Sequence, residues 1–287
     1  MTKTYFITGA SSGFGKALTE AVLARGDNVV ATARRAEALA QVVKPFGSKG
    51  VAIALDVMDS DARKRAIDQT IQTFGRIDVL ANIAGRGSLG AAEEFADDEL
   101  REQMELNFFA SVEMARLALP IMRQQGYGQI LNLTSVGGQV SMGGFSAYAA
   151  SKFALEGWSE ALRDEVKPFG VRVTLVEPGA FRTEFAAGNI LRPKMPIADY
   201  RGFIDPIGAH MDAHAGQEPG DPAKAAAAMI ATVESNDPPL RLMLGADAYA
   251  LWDMKRAEKE QELRAGRAAG EDTMLDGATT FAIGGAG

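Results

Sequence analysis

The sequence predicts an α/β fold, a doubly wound parallel sheet of seven strands with helices on both faces. Three observations predict it. Short runs that are apolar throughout alternate with amphipathic segments of helical period, the pattern of strands buried on both faces. A glycine-rich turn, TGASSGFG at 8–15, stands between the first apolar run and the first helical segment. The chain has 287 residues and is 47% hydrophobic, enough to bury a large core.

The elements follow in order. Residues 3–8 (KTYFIT) form the first strand. Phe14 opens a helix with Leu18, Val22 and Leu23 on one side and Gly26 as its stop. Strand 28–33, helix 37–43, strand 51–55, helix 59–74 stopped by Gly75, and strand 78–81 continue the alternation. Residues 97–125 read as one long helix with a bend at Pro120. Strand 129–134, a long helix 147–169 closed by Gly170, and strand 171–177 come next. Asp221 reads as the N-cap and Pro222 as the first position of a helix running to 235. Residues 240–244 form the seventh strand.

This predicts one domain over 1–245, with no linker and no internal repeat. Two regions break the rhythm. Residues 184–220 lack a clear period and are rich in Pro and Gly, the mark of a functional lid. Residues 246–287 form an extension: a helix over 246–266, apolar first (Tyr249, Leu251, Trp252) and then charged, followed from 270 by a tail expected to be poorly ordered.

Composition narrows the partners. The chain has no cysteine, which excludes disulfide and thiolate chemistry and fits a reducing cytosol; a cytoplasmic location is expected. A net charge of -7 argues against nucleic acid. No apolar run reaches about 18 residues, so no membrane span is expected. The strand at 3–8 leaves no room for a signal peptide.

The glycine turn has the context of a phosphate-binding loop, since it follows a strand and opens a helix whose free N–H groups favour an anion. Its spacing, Gly9-x-x-x-Gly13-x-Gly15, is not G-x-G-x-x-G, and a purely structural turn is the other reading. At the end of the second strand a NAD site usually carries an acid for the ribose 2′-hydroxyl. Here the residues are Arg34 and Arg35, which suit a 2′-phosphate; the alternative is a solvated arginine pair. Tyr148 and Lys152 lie one helical turn apart in YAASK, on one face. An ammonium there lowers a phenol from its usual pKa of about 10 and makes it a usable acid or base. Ser135 ends the fifth strand, at the carboxyl edge where such sheets bind ligands.

Taken together and in order over residues 3–245, these residues resemble the short-chain dehydrogenase/reductase family in its single-domain, Rossmann-like form. Thr8, Gly9, Gly13 and Gly15 match its glycine loop, T-G-x-x-x-G-x-G. Asp56-Val57 matches its adenine-contacting pair. Asn82, Ala84 and Gly85 match N-x-A-G. Asn107 matches its catalytic Asn, and Ser135, Tyr148 and Lys152 its catalytic Ser, Tyr and Lys. Pro178, Gly179 and Thr183 match P-G-x-x-x-T. The extension is similar to that of the hydroxysteroid dehydrogenase-like branch.

The resemblance implies an oxidoreductase that moves a hydride between NADP(H) and a small-molecule carbonyl or secondary alcohol. Tyr148 would give or take the substrate proton, Ser135 would polarise the oxygen, Lys152 would hold the nicotinamide ribose, and Asn107 would hold a water linking Lys152 to solvent. Gly9, Ser11, Ser12, Gly13, Phe14 and Gly15 would wrap the pyrophosphate and adenosine phosphate. The backbone at 178–181, including Phe181, with Thr183 would take the carboxamide end. The resemblance also implies a homodimer or homotetramer paired through the helices at 97–125 and 147–169. The alternative function is a non-catalytic NADP(H) sensor on the same fold, against which the intact set of Asn107, Ser135, Tyr148 and Lys152 argues.

Other features carry two readings each. Phe185, Met195, Phe203, Ile204 and Met211 would either line a pocket for a bulky apolar substrate or pack the lid onto the body. Gly143, Gly144 and Phe145 would help shape that pocket. His210 and His214 flank Asp212 in HMDAH, yet lack a third ligand; a lid turn or solvated helix is expected rather than a metal site. Trp252 reads as packing or subunit contact rather than as a site.

Overall fold

A computed structural model describes residues 2–185, 190–271, 273, 275 and 277. It builds β1 (Thr4–Ile7), α1 (Gly13–Ala24), β2 (Asn28–Ala33), α2 (Ala36–Val43), β3 (Gly50–Ala54), α3 (Ser60–Phe74) and β4 (Val79–Asn82). Then come α4 (Asp97–Met104), α5 (Ala110–Gln125), β5 (Gly128–Leu133), α6 (Ser146–Val166), β6 (Val171–Pro178), α7 (Arg201–His214), α8 (Pro222–Glu234), β7 (Arg241–Leu244) and α9 (Ala246–Glu271).

The seven strands make one sheet in the order β3-β2-β1-β4-β5-β6-β7, and every pairing is parallel. Alternate side chains of each strand feed different cores. Tyr5 and Ile7 pack with Leu18 and Val22 of α1, Leu39 of α2 and Met229 of α8. Phe6 between them packs the other way, with Ile67 of α3, Met114 of α5 and Leu162 of α6. Both faces are therefore covered, which is why the strand sequences are apolar throughout. The sheet order reverses between β1 and β4, and the crevice at such a switch point is where ligands bind in this Rossmann-like architecture.

Local chemistry sets the helix ends. Asp59 caps α3 by accepting from the N–H groups of Asp61 and Ala62, and Asp221 caps α8 through Ala223. Gly75, at φ 72°, closes α3 in the left-handed region that glycine tolerates best.

Three expectations need correction. The segment 97–125 is not one unbroken helix: a π-turn at Glu105–Phe109 divides it, while Pro120 lies inside α5. A π-turn inserts an extra residue into the helix and re-aims its side chains, and such turns often sit at functional sites. The lid is not devoid of regular structure, because α7 occupies its centre. Its apolar residues Ile204, Ile207 and Met211 do follow a helical spacing, masked in sequence by Gly202, Pro206 and Gly208. The last helix runs five residues beyond the expected end, to Glu271. The expected disordered tail, and lid residues 186–189, lie largely or wholly outside the described residues.

Candidate active site

The site is assembled from the turns that leave the carboxyl ends of β1, β4, β5 and β6. Thr8 ties two of them together. Its hydroxyl accepts from the N–H groups of Ile83 and Ala84, at 2.9 and 3.1 Å, and donates to Ala81 O at 3.4 Å. A Cβ on Gly9 would sit 2.9 Å from the Ala84 backbone, and one on Gly15 only 2.3 Å from Gly9 O. Glycine is required there because the backbone segments touch. Gly13 faces Thr183, and the Phe14 ring lies 5.1 Å from that of Phe181, so the glycine loop meets the loop after β6.

The N-terminus of α1 fits a phosphate group. Ser12 is its N-cap residue yet makes no side-chain capping bond. Among the described residues the N–H groups of Gly13, Phe14 and Gly15 find no protein acceptor, and the first intrahelical bond is Lys16 N–H to Ser12 O. Ser11 is exposed beside them. No acidic side chain lies in the first turn, so the positive end of the helix is left uncompensated. At the end of β2, Arg34 and Arg35 are exposed and make no ion pair among the described residues. Asp56 is exposed after β3, its carboxylate accepting from Met58 N–H at 3.0 Å, while the Val57 carbonyl receives the buried Arg63 guanidinium.

The residues matched to N-x-A-G divide. Asn82 points into the scaffold: its amide donates to Ser111 O at 3.1 Å and to Asn132 Oδ1 at 2.9 Å, and Asn132 donates on to Ser159 Oγ at 2.9 Å. Ala84 and Gly85 line the turn itself. A Cβ on Gly85 would lie 3.1 Å from Asn107 Oδ1 and 3.7 Å from Lys152 Nζ.

Asn107 sits in the π-turn, buried. It accepts from Arg86 N–H at 3.0 Å and donates to Arg86 O at 2.9 Å and Ser151 Oγ at 3.0 Å. Ser151 in turn donates to Tyr148 O at 2.7 Å. Ser151 stands inside the YAASK segment, yet sequence spacing singled out only the Tyr and Lys; its role as a bridge comes from the fold. Lys152 Nζ donates to Leu133 O at 2.7 Å and lies 5.8 Å from the centre of the Tyr148 ring. Ser135 accepts from Gly137 N–H at 2.9 Å and reaches Pro178 O at 3.5 Å. Asn107, Ser135, Tyr148 and Lys152 therefore converge at one edge of the sheet.

The electrostatics differ from the sequence expectation. Burial draws the Lys152 ammonium down to about 8, opposed by the charge of Glu156 one turn further along α6. Burial pushes the Tyr148 phenol up to about 12, with its hydrogen bond to Ser135 as the counterweight. Burial, and not the Lys152 charge, sets the direction of the Tyr148 shift, contrary to the expectation. A phenol at about 12 keeps its proton at ordinary pH. Glu156 belongs to a buried cluster that no local sequence pattern marks. It shares Gln139 with Glu177, and Arg241 pairs with both carboxylates. Burial and the neighbouring Glu156 raise Glu177 to about 7.

The lid packs over this edge. Phe185 lies 5.7 Å from the Tyr148 ring, over Gly87. Ile204 is buried with Leu89 and Ala91, while Ile207 and Met211 pack against them. Gly144 meets Leu89 and Ile204, and Gly143 meets Phe203. Ile204 thus anchors the lid to the body, whereas Met195 and Phe203 remain exposed. His210 and His214 stack at 4.2 Å on α7.

Known proteins of similar sequence and fold identify the family. Residues 3–191 match the family described as short chain dehydrogenase. The chain is 38% identical over 249 residues to the oxidoreductase BOA17 of Botryotinia fuckeliana, covering 86% of this chain and 90% of that one. It is 42% identical over 181 residues to a 3-ketodihydrosphingosine reductase of Bacteroides thetaiotaomicron, covering 62% and 64%. Among solved structures, a short-chain dehydrogenase from Streptomyces avermitilis is 42% identical and superposes with a TM-score of 0.89 over 96% of this chain and 100% of that one. The chain is an oxidoreductase of the short-chain dehydrogenase family.

Proposed function

We propose that the protein is an NADP(H)-dependent oxidoreductase that interconverts a carbonyl and a secondary alcohol, with Tyr148 as general acid and base. The observation that carries this reading is the convergence of Ser135, Tyr148, Lys152 and Asn107 beside a helix N-terminus with unpartnered N–H groups. When bound, the cofactor would supply or accept the hydride. The N–H groups of α1, with Ser11 and Ser12, would hold its pyrophosphate and adenosine phosphate, and Arg34 and Arg35 its 2′-phosphate. Asp56 and Val57 would border the adenine, and the loop from Pro178 to Thr183 the carboxamide.

Ser135 would donate to the substrate oxygen and orient it toward Tyr148. Tyr148 would release its proton to that oxygen in reduction, or take it back in oxidation. Lys152 would hold the ribose, and its positive charge would stabilise the phenolate left behind. Asn107 fixes the turn at Arg86 and, through Ser151, the Tyr148 carbonyl, so it would keep the two reacting residues in register. Residues 1–245 would be the catalytic domain, 184–220 its lid, and 246–287 an extension.

The substrate reading favours a bulky apolar ketone or alcohol. Phe185 lies over Tyr148, and Phe203 and Met195 are exposed on the same lid. Similarity to a 3-ketodihydrosphingosine reductase supports an apolar chain next to the carbonyl. The described residues contain no helix long and apolar enough to cross a membrane. Leu100 of α4, Phe109 and Phe153 of α6 are exposed, which supports pairing of two copies through these helices.

The test is Tyr148→Phe, followed by NADPH absorbance with a ketone panel. Turnover should fall by about 10²–10⁴-fold, the usual worth of a positioned acid or base, while NADPH affinity stays within about twofold. Turnover that survives the change excludes the mechanism. A wild-type chain that binds NADPH but turns over no carbonyl or alcohol favours the sensor.

A further inference from the structure

The first turn of α9 reaches the loop that follows β6. Asp247 Oδ2 accepts a hydrogen bond from Ala180 N–H at 2.6 Å. A Cβ on Gly179 would lie 2.2 Å from that same oxygen, and one on Gly245 would lie 2.4 Å from Asp247 Oδ1. The carboxylate therefore fills space that two glycines leave open. Gly179 does not have a left-handed backbone. Its lack of a side chain is explained by the approach of Asp247 rather than by its own conformation.

The rest of the loop is stitched from the other side. Gly179 N–H donates to Leu244 O at 2.9 Å, Gly220 N–H to Ala180 O at 3.0 Å, and Arg182 N–H to Gly220 O at 2.9 Å. Both backbone groups of Ala180 are thus engaged. Among the described residues, the N–H and C=O of Phe181 have no protein partner. The Phe181 ring is held between Phe14 and the backbones of Gly220 and Gly245.

We infer that Asp247 is a positioning residue for the nicotinamide end of the cofactor site. This rests on the proposed NADP(H) reading and deepens it. The carboxylate clamps the peptide between Gly179 and Ala180, and the clamp sets the next residue, Phe181, whose N–H and C=O are both unengaged, for a carboxamide. An amide is matched by one donor and one acceptor side by side, and Phe181 offers both. The extension is then part of the cofactor site from its second residue onward.

The experiment uses the full chain and two ligands, NADPH and adenosine 2′,5′-bisphosphate, which carries only the adenosine end. Wild type is measured first, and a wild type that binds neither NADPH nor NADH overturns the cofactor reading itself. Asp247→Ala should weaken NADPH by about tenfold, the scale of one lost charge-assisted hydrogen bond. It should also abolish the rise in nicotinamide emission on binding and lower kcat, while leaving the bisphosphate affinity within about twofold. Asp247→Asn keeps an acceptor oxygen and should restore most of the emission. Gly179→Ala, which displaces the carboxylate by contact, should reproduce the split and serves if Asp247→Ala does not fold.

Unchanged NADPH affinity and emission in Asp247→Ala or Gly179→Ala overturn the inference. So does an equal loss for both ligands, which marks general distortion. An Asn variant as impaired as the Ala variant overturns the acceptor role.

Discussion

The two ends of the crevice are built on opposite plans. At the β1–β2 end, polar groups stand unengaged: the N–H groups opening α1, the uncapping Ser12, and the exposed Arg34 and Arg35. At the β4–β6 end, nearly every polar group is already held. Asn107 has three bonds, Ser151 joins it to the Tyr148 carbonyl, and Lys152 is fixed on Leu133 O. The first plan suits recognition of an anion, where partners are supplied by the ligand and the cost of leaving groups in water is small. The second suits chemistry, where geometry must exist before the substrate arrives.

Changes at the held end should damage reaction and stability together. Asn107→Ala should lower kcat by about 10²-fold, the usual cost of misplacing reacting groups. It should also destabilise the fold by about 1–3 kcal/mol, since the Arg86 N–H loses its acceptor and the Arg86 C=O one of its two donors. Assay and urea unfolding check both halves, and a variant that loses activity without stability breaks the contrast. At the open end the effects should separate. Arg34→Ala should weaken NADPH by about 10- to 100-fold, leave NADH unchanged, and leave the unfolding midpoint alone. Equal binding of NADPH and NADH by wild type would remove the argument for a 2′-phosphate clamp.

The pH dependence sharpens the comparison further. Lys152 carries a folded value of about 8, below its ordinary 10.5. Between those values the folded chain binds fewer protons than the unfolded one, so this residue's contribution to stability improves as pH rises through the window. Activity should run the other way. The reductive kcat/KM should fall above about pH 8 as the ammonium is lost, and Glu156→Gln should move that fall to lower pH, because the Glu156 charge supports the ammonium. A profile unmoved by Glu156→Gln would mean that another group sets the limb. The smallest effect is expected at Ser12, which makes no capping bond. Ser12→Ala should change stability by less than about 0.5 kcal/mol, whereas Ser151→Ala should cost about 1–3 kcal/mol.

What the sequence disclosed follows the same division. The order and type of the strands were legible, because parallel strands buried on both faces leave unbroken apolar runs such as NVVATA. Gly9 and Gly15 were legible because backbone contact admits no side chain, and Gly13 because its backbone is left-handed. Ser135, Tyr148 and Lys152 were legible as a spacing. The π-turn around Asn107 was not, since an inserted residue leaves no gap in the apolar pattern. Helix α7 was passed over because Pro206 and two glycines obscure the spacing of Ile204, Ile207 and Met211. The Glu156, Glu177 and Arg241 cluster joins positions up to 85 residues apart, which no local pattern reveals. Asp247 belongs to the same class: its partner lies 67 residues upstream.

Thr8 has a consequence for how the protein admits its substrate. One hydroxyl holds the turn after β1 to the turn after β4, across the point where the sheet reverses its winding. The floor of the crevice cannot spread without breaking those bonds at a buried site. Traffic is left to the roof, where Phe185 and α7 rest on the body by side-chain contact. Rates of entry and exit should then respond to substitutions in the lid, and hardly at all to those that loosen or tighten the outer strands.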